Sequence, residues 1–164
     1  EPRVSAAKDS EDGIVAILRE MAAENGATFQ PVTALFRDFA TRCRQRGVQS
    51  AHVDMTRFRR MFAVASAGLD RLDAQQRAAV EQLADPVAED VLAPFLAIAA
   101  AAAEGRDTPG EEELARVYGS SSPGRIRRLL AHLERTGLIV VREDFGGERT
   151  ISVPGLEAFA DSRT

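Results

Sequence analysis

The sequence is poor in the residues that build covalent and metal centres. Among its 164 residues there are one cysteine, Cys43, and two histidines, His52 and His132. A single cysteine excludes an internal disulfide framework and a cysteine-based zinc cluster, and two histidines add few further metal ligands. No serine or cysteine lies in a sequence context typical of nucleophilic catalysis. We therefore expect no metal, no cofactor and no enzymatic activity.

Long apolar runs are also missing. No stretch approaches the roughly 18 to 20 apolar residues that a membrane-spanning helix requires. The first residues, EPRVSAAKDSEDG, lack the basic and then apolar layout of a signal peptide. A hydrophobic fraction of 45% is nevertheless enough for a buried core. We expect a soluble cytoplasmic protein with no membrane partner, and its size and compactness favour a bacterial origin.

Lysine is almost absent, since Lys8 is the single one, and arginine carries nearly all of the positive charge. The net charge is -4, but the charges are unevenly spread along the chain. Residues 31–60 carry seven arginines and two acids, residues 61–120 four arginines and eleven acids, and residues 120–142 five arginines and one acid. Alternating basic and acidic blocks indicate that one face meets a polyanion while others are kept free of it.

Apolar residues recur at helical spacing through most of the chain, which predicts a mainly α-helical protein. Four such helices are expected before residue 86. Their apolar sets are Ile14, Ile17, Leu18 and Met21; Val32, Leu35, Phe36, Phe39 and Cys43; Met55, Phe58, Met61, Phe62 and Ala65; and Val80 and Leu83.

Capping residues mark where these helices begin and end. Asp54 and Asp73 are natural N-caps, and Asp73 resembles the first residue of a capping box with the glutamine three residues later. Gly68 is a natural helix end. A further helix over residues 86–104 contains Pro94, which is expected to kink that helix or to mark its true start.

We divide the chain into three parts. Residues 1–10 show no periodicity and are expected to be a flexible tail. Residues 11–85 are expected to form a helical domain with a dimerisation or accessory role, and residues 86–164 a second domain. No glycine- and serine-rich linker separates the two domains, so we expect them to touch each other.

The stretch SSSPGRIRRLLAHLERTGLIVV, residues 120–141, carries the clearest functional signal. We expect Thr108, as the N-cap of a capping box, to begin a short helix, EEELARVYG, that ends at Gly119. Ser122 is the natural N-cap of the next helix, residues 122–136. Because the apolar residues of that helix share one side, its arginines point outward. The apolar residues are Ile126, Leu129, Leu130 and Leu133.

Beyond that helix, LIVVRE and ERTISV predict two strands joined by a glycine-bearing turn. Helix, short helix, turn, exposed helix and hairpin make the plan of a winged helix-turn-helix domain. Residues 87–153, above all ELARVYGSSSPGRIRRLLAHLERTGLIVVRE, resemble the MarR-like and GntR-like winged-helix regulators over less than half of the chain. The expected fold is therefore mainly α, an N-terminal helical bundle plus a C-terminal winged helix with a two-stranded β-hairpin wing.

The resemblance implies a sequence-specific transcriptional regulator that binds double-stranded DNA. In such regulators the recognition helix, here residues 122–136, enters the major groove, where arginine pairs with guanine. Hydroxyls and backbone amides at the helix start bind phosphate. We expect Arg125 and Arg128 to read bases, and Arg149 of the wing to reach a minor groove or the backbone. The other candidate contacts are Ser120, Ser121, Ser122, Gly124, Arg127 and Arg135.

A second function stays open at this point. Winged helices also serve as non-enzymatic protein-docking modules of larger assemblies. The hairpin tip, with Glu143, Asp144 and Glu148, is acidic and disfavours phosphate contact by the wing. Steep salt dependence of binding separates a DNA-binding regulator from a docking module.

The basic helices of residues 31–68 allow three interpretations. They form a dimerisation bundle whose arginines neutralise the acidic block of residues 61–120, they add a second contact to the DNA backbone, or they bind an acidic partner or effector. We favour a homodimer, because apolar stripes are the stronger signal and a two-fold dimer reads two half-sites. No residue set identifies a small-molecule effector. The possible accessory basic patch comprises Arg42, Arg44, Arg46, Arg57, Arg59 and Arg60.

Overall fold

The computed structural model describes the backbone of residues 2–160 and the side chains of residues 9–159. Within them, eight α-helices and one two-stranded antiparallel sheet confirm the mainly α-helical class. A short 3-10 turn, Ala27–Phe29, lies between the first two helices. The elements are α1 (Pro2–Ala22), α2 (Val32–Gln45), α3 (Met55–Ala67), α4 (Ala74–Ala84), α5 (Glu89–Glu104), α6 (Glu111–Tyr118), α7 (Pro123–Arg135), β1 (Val140–Glu143), β2 (Arg149–Ser152) and α8 (Glu157–Ala160).

Helix α1 begins at Pro2, so residues 2–10, expected to be a flexible tail, are its first turns. Helices α1, α2 and α3 pack around one apolar cluster, in which the ring of Phe58 lies 5.2 Å from that of Phe39 and 5.7 Å from that of Phe62. Cys43 is fully buried in this cluster, and burial raises the pKa of its thiol. The expected apolar stripes of the first three helices are therefore core, except that Val32 at the start of α2 is exposed.

A second apolar cluster surrounds α5 and includes residues from α3, α4, α6, α7, the hairpin and Leu156, which precedes α8. The alanine-rich sequence of α5 lets neighbouring helices approach closely, and Ala97 to Ala101 are all buried. Pro94 lies inside α5, five residues after the helix begins at Glu89, so it does not mark the helix start. The short α8 was not foreseen from the sequence.

The two apolar clusters meet within α3. Phe58 and Phe62 belong to the first cluster, whereas Ala63, one residue later, belongs to the second. Val80 and Ala84 of α4 also lie in the second cluster. Apolar packing therefore crosses residue 85, after which we expected a second domain to begin. The division into two domains stays a prediction. Residues 161–164, the end of the expected second domain, lie outside the described part of the chain.

Most of the expected helix caps are present. The carboxylate of Asp54 accepts a hydrogen bond from the backbone N–H of Arg57 at 2.8 Å, and Asp73 forms the full capping box. The expected capping box at Thr108 is wrong, because Gly110 is the N-cap of α6. Pro109 precedes the cap instead of lying in the first helical turn. The sequence did not show this, because the fixed φ of proline suits the extended backbone before a cap as well as a first helical turn.

Candidate nucleic-acid interface

The turn between α6 and α7 is built by small residues. Gly119 ends α6 with a φ of 78°, in the left-handed region that favours glycine. The hydroxyl of Ser120 accepts a hydrogen bond from the backbone N–H of Ser122 at 3.3 Å, and Ser120 is only 8% exposed. Ser120, a predicted phosphate contact, is thus buried and stabilises the turn, whereas Ser121 is exposed.

Helix α7 starts as the sequence predicts. The hydroxyl of Ser122 accepts a hydrogen bond from the backbone N–H of Arg125 at 3.3 Å, with proline in the first helical turn. Ile126, Leu129 and Leu133 are buried, while Leu130 is half-buried. The apolar side of α7 therefore faces the core, and the opposite side faces solvent.

The N-terminal turn of α7 carries a concentration of polar and basic groups. Arg128 is exposed, and its guanidinium lies back along the helix above Gly124, where a Cβ would be 3.5 Å from Nη1. The same Cβ position is 3.8 Å from the hydroxyl oxygen of Ser122. Helical side chains lean toward the helix N-terminus, so Arg128 adds its charge to the first turn of α7.

Arg125 lies on the flank of α7 that faces α5 and α6. Its guanidinium carbon is 5.8 Å from the ring centroid of Tyr118, a distance typical of a cation–π contact. Arg125, Arg128 and His132 also line one depression with Asp90. Tyr118 therefore positions a predicted base-reading arginine, a role that sequence reasoning missed because the two residues belong to different helices.

The other flank of α7 faces the hairpin. Arg127 and Arg149 line one depression of about 360 Å³ together with the acids Glu134 and Glu143. Arg149 is the cross-strand partner of Glu143 in the antiparallel ladder. The wing arginine named from the sequence thus lies beside α7, in a mixed rather than purely basic environment.

Asp144 has a structural role at the acidic tip of the hairpin. One carboxylate oxygen of Asp144 accepts hydrogen bonds from the backbone N–H groups of Gly146 and Glu148, both at 2.9 Å. Such bonds close the turn. Phe145 extends fully into solvent at this tip, so the most projecting side chain of the hairpin is apolar.

Arg135 stands apart from the other arginines. It is the last residue of α7, ten positions after Arg125, which corresponds to roughly 15 Å along the helix axis. Arg135 is exposed. The structure therefore groups Arg125 and Arg128 at one end of α7 and leaves Arg135 at the other.

The arginines of α2 are bound within the N-terminal half. Arg42 pairs with Glu24 at 2.5 Å, with Glu20 at 3.3 Å and with Asp38 at 3.1 Å. The hydrogen bond with Glu24 contributes most to a raised pKa of Arg42. Arg46 also pairs with Glu20, at 2.5 Å. These two arginines of the predicted accessory patch are thus neutralised by acids within residues 20–38, and not by residues 61–120.

Arg60 ties α3 to the connection between α4 and α5. Its guanidinium donates to the carbonyl oxygens of Val87 at 2.8 Å and Ala84 at 2.9 Å, and lies 3.4 Å from Glu89. This is the one described ion pair between the basic helices α2 and α3 and the acidic block of residues 61–120. The accessory arginines outside ion pairs are Arg44, Arg57 and Arg59.

The arginines of α7 differ from Arg42 and Arg46 of α2. Among the described side chains, no carboxylate lies within 4.0 Å of any of the four α7 arginines. They are exposed as well, so no ion pair with a described residue holds any of the four guanidinium groups. These residues are Arg125, Arg127, Arg128 and Arg135.

The described helices are either too short or too polar to cross a membrane. Comparison of the chain with protein-family models, with curated proteins and with solved structures found no match to any of them.

Proposed function

We propose that this chain is a sequence-specific transcriptional regulator that binds double-stranded DNA through a winged helix-turn-helix. In this proposal α6 and α7 form the helix-turn-helix, and β1 and β2 form the wing. The N-terminal turn of α7 enters the major groove, where Arg125 and Arg128 pair with guanine. Arg127 and Arg135 contact phosphates from the flanks, and Ser121 contributes a hydroxyl.

The unpaired arginines of α7 are the observation that carries the proposal. Other arginines of the chain, such as Arg42 and Arg60, lie beside acids, and the described arginines outside α7 that have no ion pair are spread over several elements. The four arginines of α7 have no such partner among the described side chains. An exposed helix with uncompensated guanidinium groups is the arrangement that phosphates and guanine edges complement.

One copy of the helix-turn-helix offers few contacts, so we infer a homodimer that reads two half-sites on DNA. Sedimentation velocity at micromolar concentration, with and without a duplex, tests this inference. A dimer is expected in at least one of the two samples. A strictly monomeric protein in both would rule the two-fold arrangement out.

Salt dependence tests the DNA proposal directly. With about four phosphate contacts for each protomer, and so about eight for the dimer, affinity for a duplex should fall roughly ten-thousandfold between about 50 and 200 mM salt. Fluorescence anisotropy of a labelled duplex gives that slope. The double variant Arg127→Ala with Arg135→Ala should flatten it by about two phosphate contacts for each protomer, whereas no binding by the wild type at low salt would refute the proposal.

Phe145 favours a second candidate function, a protein-docking module. A fully exposed phenylalanine at the tip of an acidic hairpin suits an apolar pocket on a protein better than a phosphate backbone. In that case binding would depend little on salt. The variant Phe145→Ser should leave duplex affinity unchanged if the chain is a regulator whose α7 makes the contacts.

A further inference from the structure

Helix α3 carries a second apolar stripe besides the one that faces the core. Met61, Val64 and Ala65 lie at positions i, i+3 and i+4, so they share one side of the helix. Their side chains are half-buried, whereas Phe58 and Phe62 on the core-facing side are buried. The helix is therefore apolar on a side that the rest of the described chain leaves partly open.

Two hollows lie next to this stripe. One, of about 200 Å³, lies between α3, α1 and α4, and the other, of about 210 Å³, between α3, α4 and α5. Met61 and Val64 line both hollows and so form a ridge between them. We call the ridge and the two hollows the α3 groove. Its other large apolar side chains are Val15, Leu18 and Leu69 in the first hollow and Leu92 and Leu96 in the second.

The α3 groove is open to solvent. Val15 of α1, in the first hollow, is 41% exposed. Apolar side chains that are exposed singly are common on protein surfaces, but Val15 adjoins the apolar ridge. A contiguous exposed apolar surface marks contact with another molecule. A ridge beside a hollow is also the shape by which packed helices interlock, since ridges of one helix enter the grooves of another.

The charges around the α3 groove are balanced. Three arginines and three acids line it, and two of the pairs are joined, Arg19 with Asp70 at 2.6 Å and Arg77 with Glu81 at 2.9 Å. A two-fold interface places a surface against its own copy, and a surface of one sign would repel that copy. The balanced rim of the groove therefore complements a second copy, unlike the arginines of α7. The remaining two charged residues of the rim are Arg60 and Asp85.

The α3 groove and the proposed DNA contact lie on opposite sides of two helices. On α5, Leu92 lines the groove, whereas Asp90 lines the depression that contains Arg125. Two positions along a helix correspond to a rotation of about 200°, so these two side chains point in nearly opposite directions. On α3, Met61 and Arg59 are related in the same way, and Arg59 shares a cleft with Arg125. A molecule seated in the groove would therefore leave the start of α7 free.

We propose that the α3 groove is the surface through which two copies of this chain form a two-fold dimer. The proposal names the interface of the homodimer inferred above and so rests on the proposed function. The ridge of Met61 and Val64 of each copy enters a hollow of the other, because a two-fold axis makes every contact twice. Val15 is buried at this contact, and the arginines and acids form its polar rim.

Sedimentation velocity without DNA tests the interface. Over about 5 to 200 µM protein, mass action should shift the wild type from monomer toward dimer. Val15→Glu should weaken the dimer at least about tenfold, since it places a carboxylate in an apolar contact. Val32→Glu is the matched control, because Val32 is 37% exposed and lies outside the groove. Val32→Glu should dimerise like the wild type.

Two results of this experiment would overturn the proposal: a wild type that stays monomeric at every concentration, and equal weakening by Val15→Glu and Val32→Glu. Both valines are exposed, so neither change is expected to unfold the chain. Val15→Ser provides a milder variant if thermal unfolding shows that Val15→Glu does not fold, and it should also weaken the dimer.

NMR of a mixture of ¹³C-labelled and unlabelled chains locates the contact directly. Isotope-filtered nuclear Overhauser effects between copies should involve the methyl groups of Val15, Met61 and Val64. Effects between copies that involve Val32 or α7, and none of these three residues, would place the interface elsewhere and overturn the proposal.

Duplex binding is measured separately, by anisotropy of a labelled duplex with the wild type and with Val15→Glu. If the chain dimerises through the groove and binds no duplex, the interface stands and the proposed DNA function fails. If the wild type is monomeric without DNA and both chains bind the duplex equally, the DNA function stands and the proposed interface fails.

Discussion

Gly119 packs against the backbone of Thr28, so the N-terminal half of the chain touches the turn between α6 and α7. A Cβ on Gly119 would overlap the carbonyl oxygen of Thr28. The hydroxyl of Thr28 also donates to the carbonyl of Arg116 in α6. The 3-10 turn that carries Thr28 is thereby fixed beside the proposed recognition helix.

The close approach at Gly119 predicts a large cost for a methyl group. Gly119→Ala should lower the free energy of unfolding by about 2 to 4 kcal/mol, from left-handed strain together with overlap. Gly137 provides a matched control, since its φ is 79° and nothing lies within 4 Å of its Cβ position. Gly137→Ala should cost about 1 kcal/mol. Urea unfolding of both variants gives the difference, and equal costs would mean that the Thr28 contact is not made.

Arg60 is expected to stabilise the fold rather than bind DNA. Arg60→Ala removes the hydrogen bonds to the carbonyls of Ala84 and Val87 and should cost about 2 kcal/mol. Arg57→Ala on the same helix removes an exposed side chain with no ion pair and should cost less than about 0.5 kcal/mol. Thermal unfolding measures both. Equal stability of the two variants would show that the Arg60 contacts contribute nothing.

Ser121 and Ser122 are expected to have different roles: Ser122 stabilises the fold, and Ser121 contributes to duplex binding. Ser122→Ala removes the N-cap of α7 and should cost about 1 kcal/mol. Ser121→Ala, beside it and exposed, should leave stability unchanged and weaken only duplex binding. Chemical denaturation together with anisotropy distinguishes the two effects. A stable Ser122→Ala variant would contradict the capping geometry.

Cys43 is expected to be unreactive in the folded protein. Burial raises the pKa of its thiol, although a hydrogen bond with Ser50 and the charge of Arg46 oppose that shift. Iodoacetamide at pH 8 should therefore modify the folded chain at least roughly tenfold more slowly than the chain unfolded in guanidinium. Because the folded thiol has the higher pKa, its contribution to stability is complete below pH about 8.5 and is lost as pH rises through the folded value. Fast modification of the folded chain would contradict the burial.

Local features of this fold could be predicted from the sequence, because neighbouring residues determine them. Ser122, Asp54 and Asp73 cap their helices through bonds to residues three positions away, so the pattern alone is sufficient. Thr108 failed as a cap because Pro109 fits two positions equally well. The α1 start at Pro2 carries no apolar periodicity that could have indicated it.

Features that depend on distant residues could not be read from the sequence. Arg42 and Arg60 looked like free positive charge, yet their partners are Glu24, just after α1, and Glu89 of α5. The burial of Ser120 and the position of Arg125 over Tyr118 likewise depend on how α6 and α7 meet. What the sequence did indicate was the outward face of α7, since the periodicity of its apolar residues determines the other side.

We propose that Arg125 and Arg128 read bases, and selection from a random duplex pool tests this role most directly. Bound duplexes are sequenced for the wild type, for the double variant Arg125→Ala with Arg128→Ala, and for the control Arg37→Ala with Arg71→Ala. The control removes two exposed arginines far from α7 in sequence and so loses the same charge. We predict a common motif for the wild type and the control that is lost in the Arg125 and Arg128 variant. The same motif from that variant would contradict base reading by Arg125 and Arg128. The absence of any motif from the wild type at about 50 mM salt would contradict it as well.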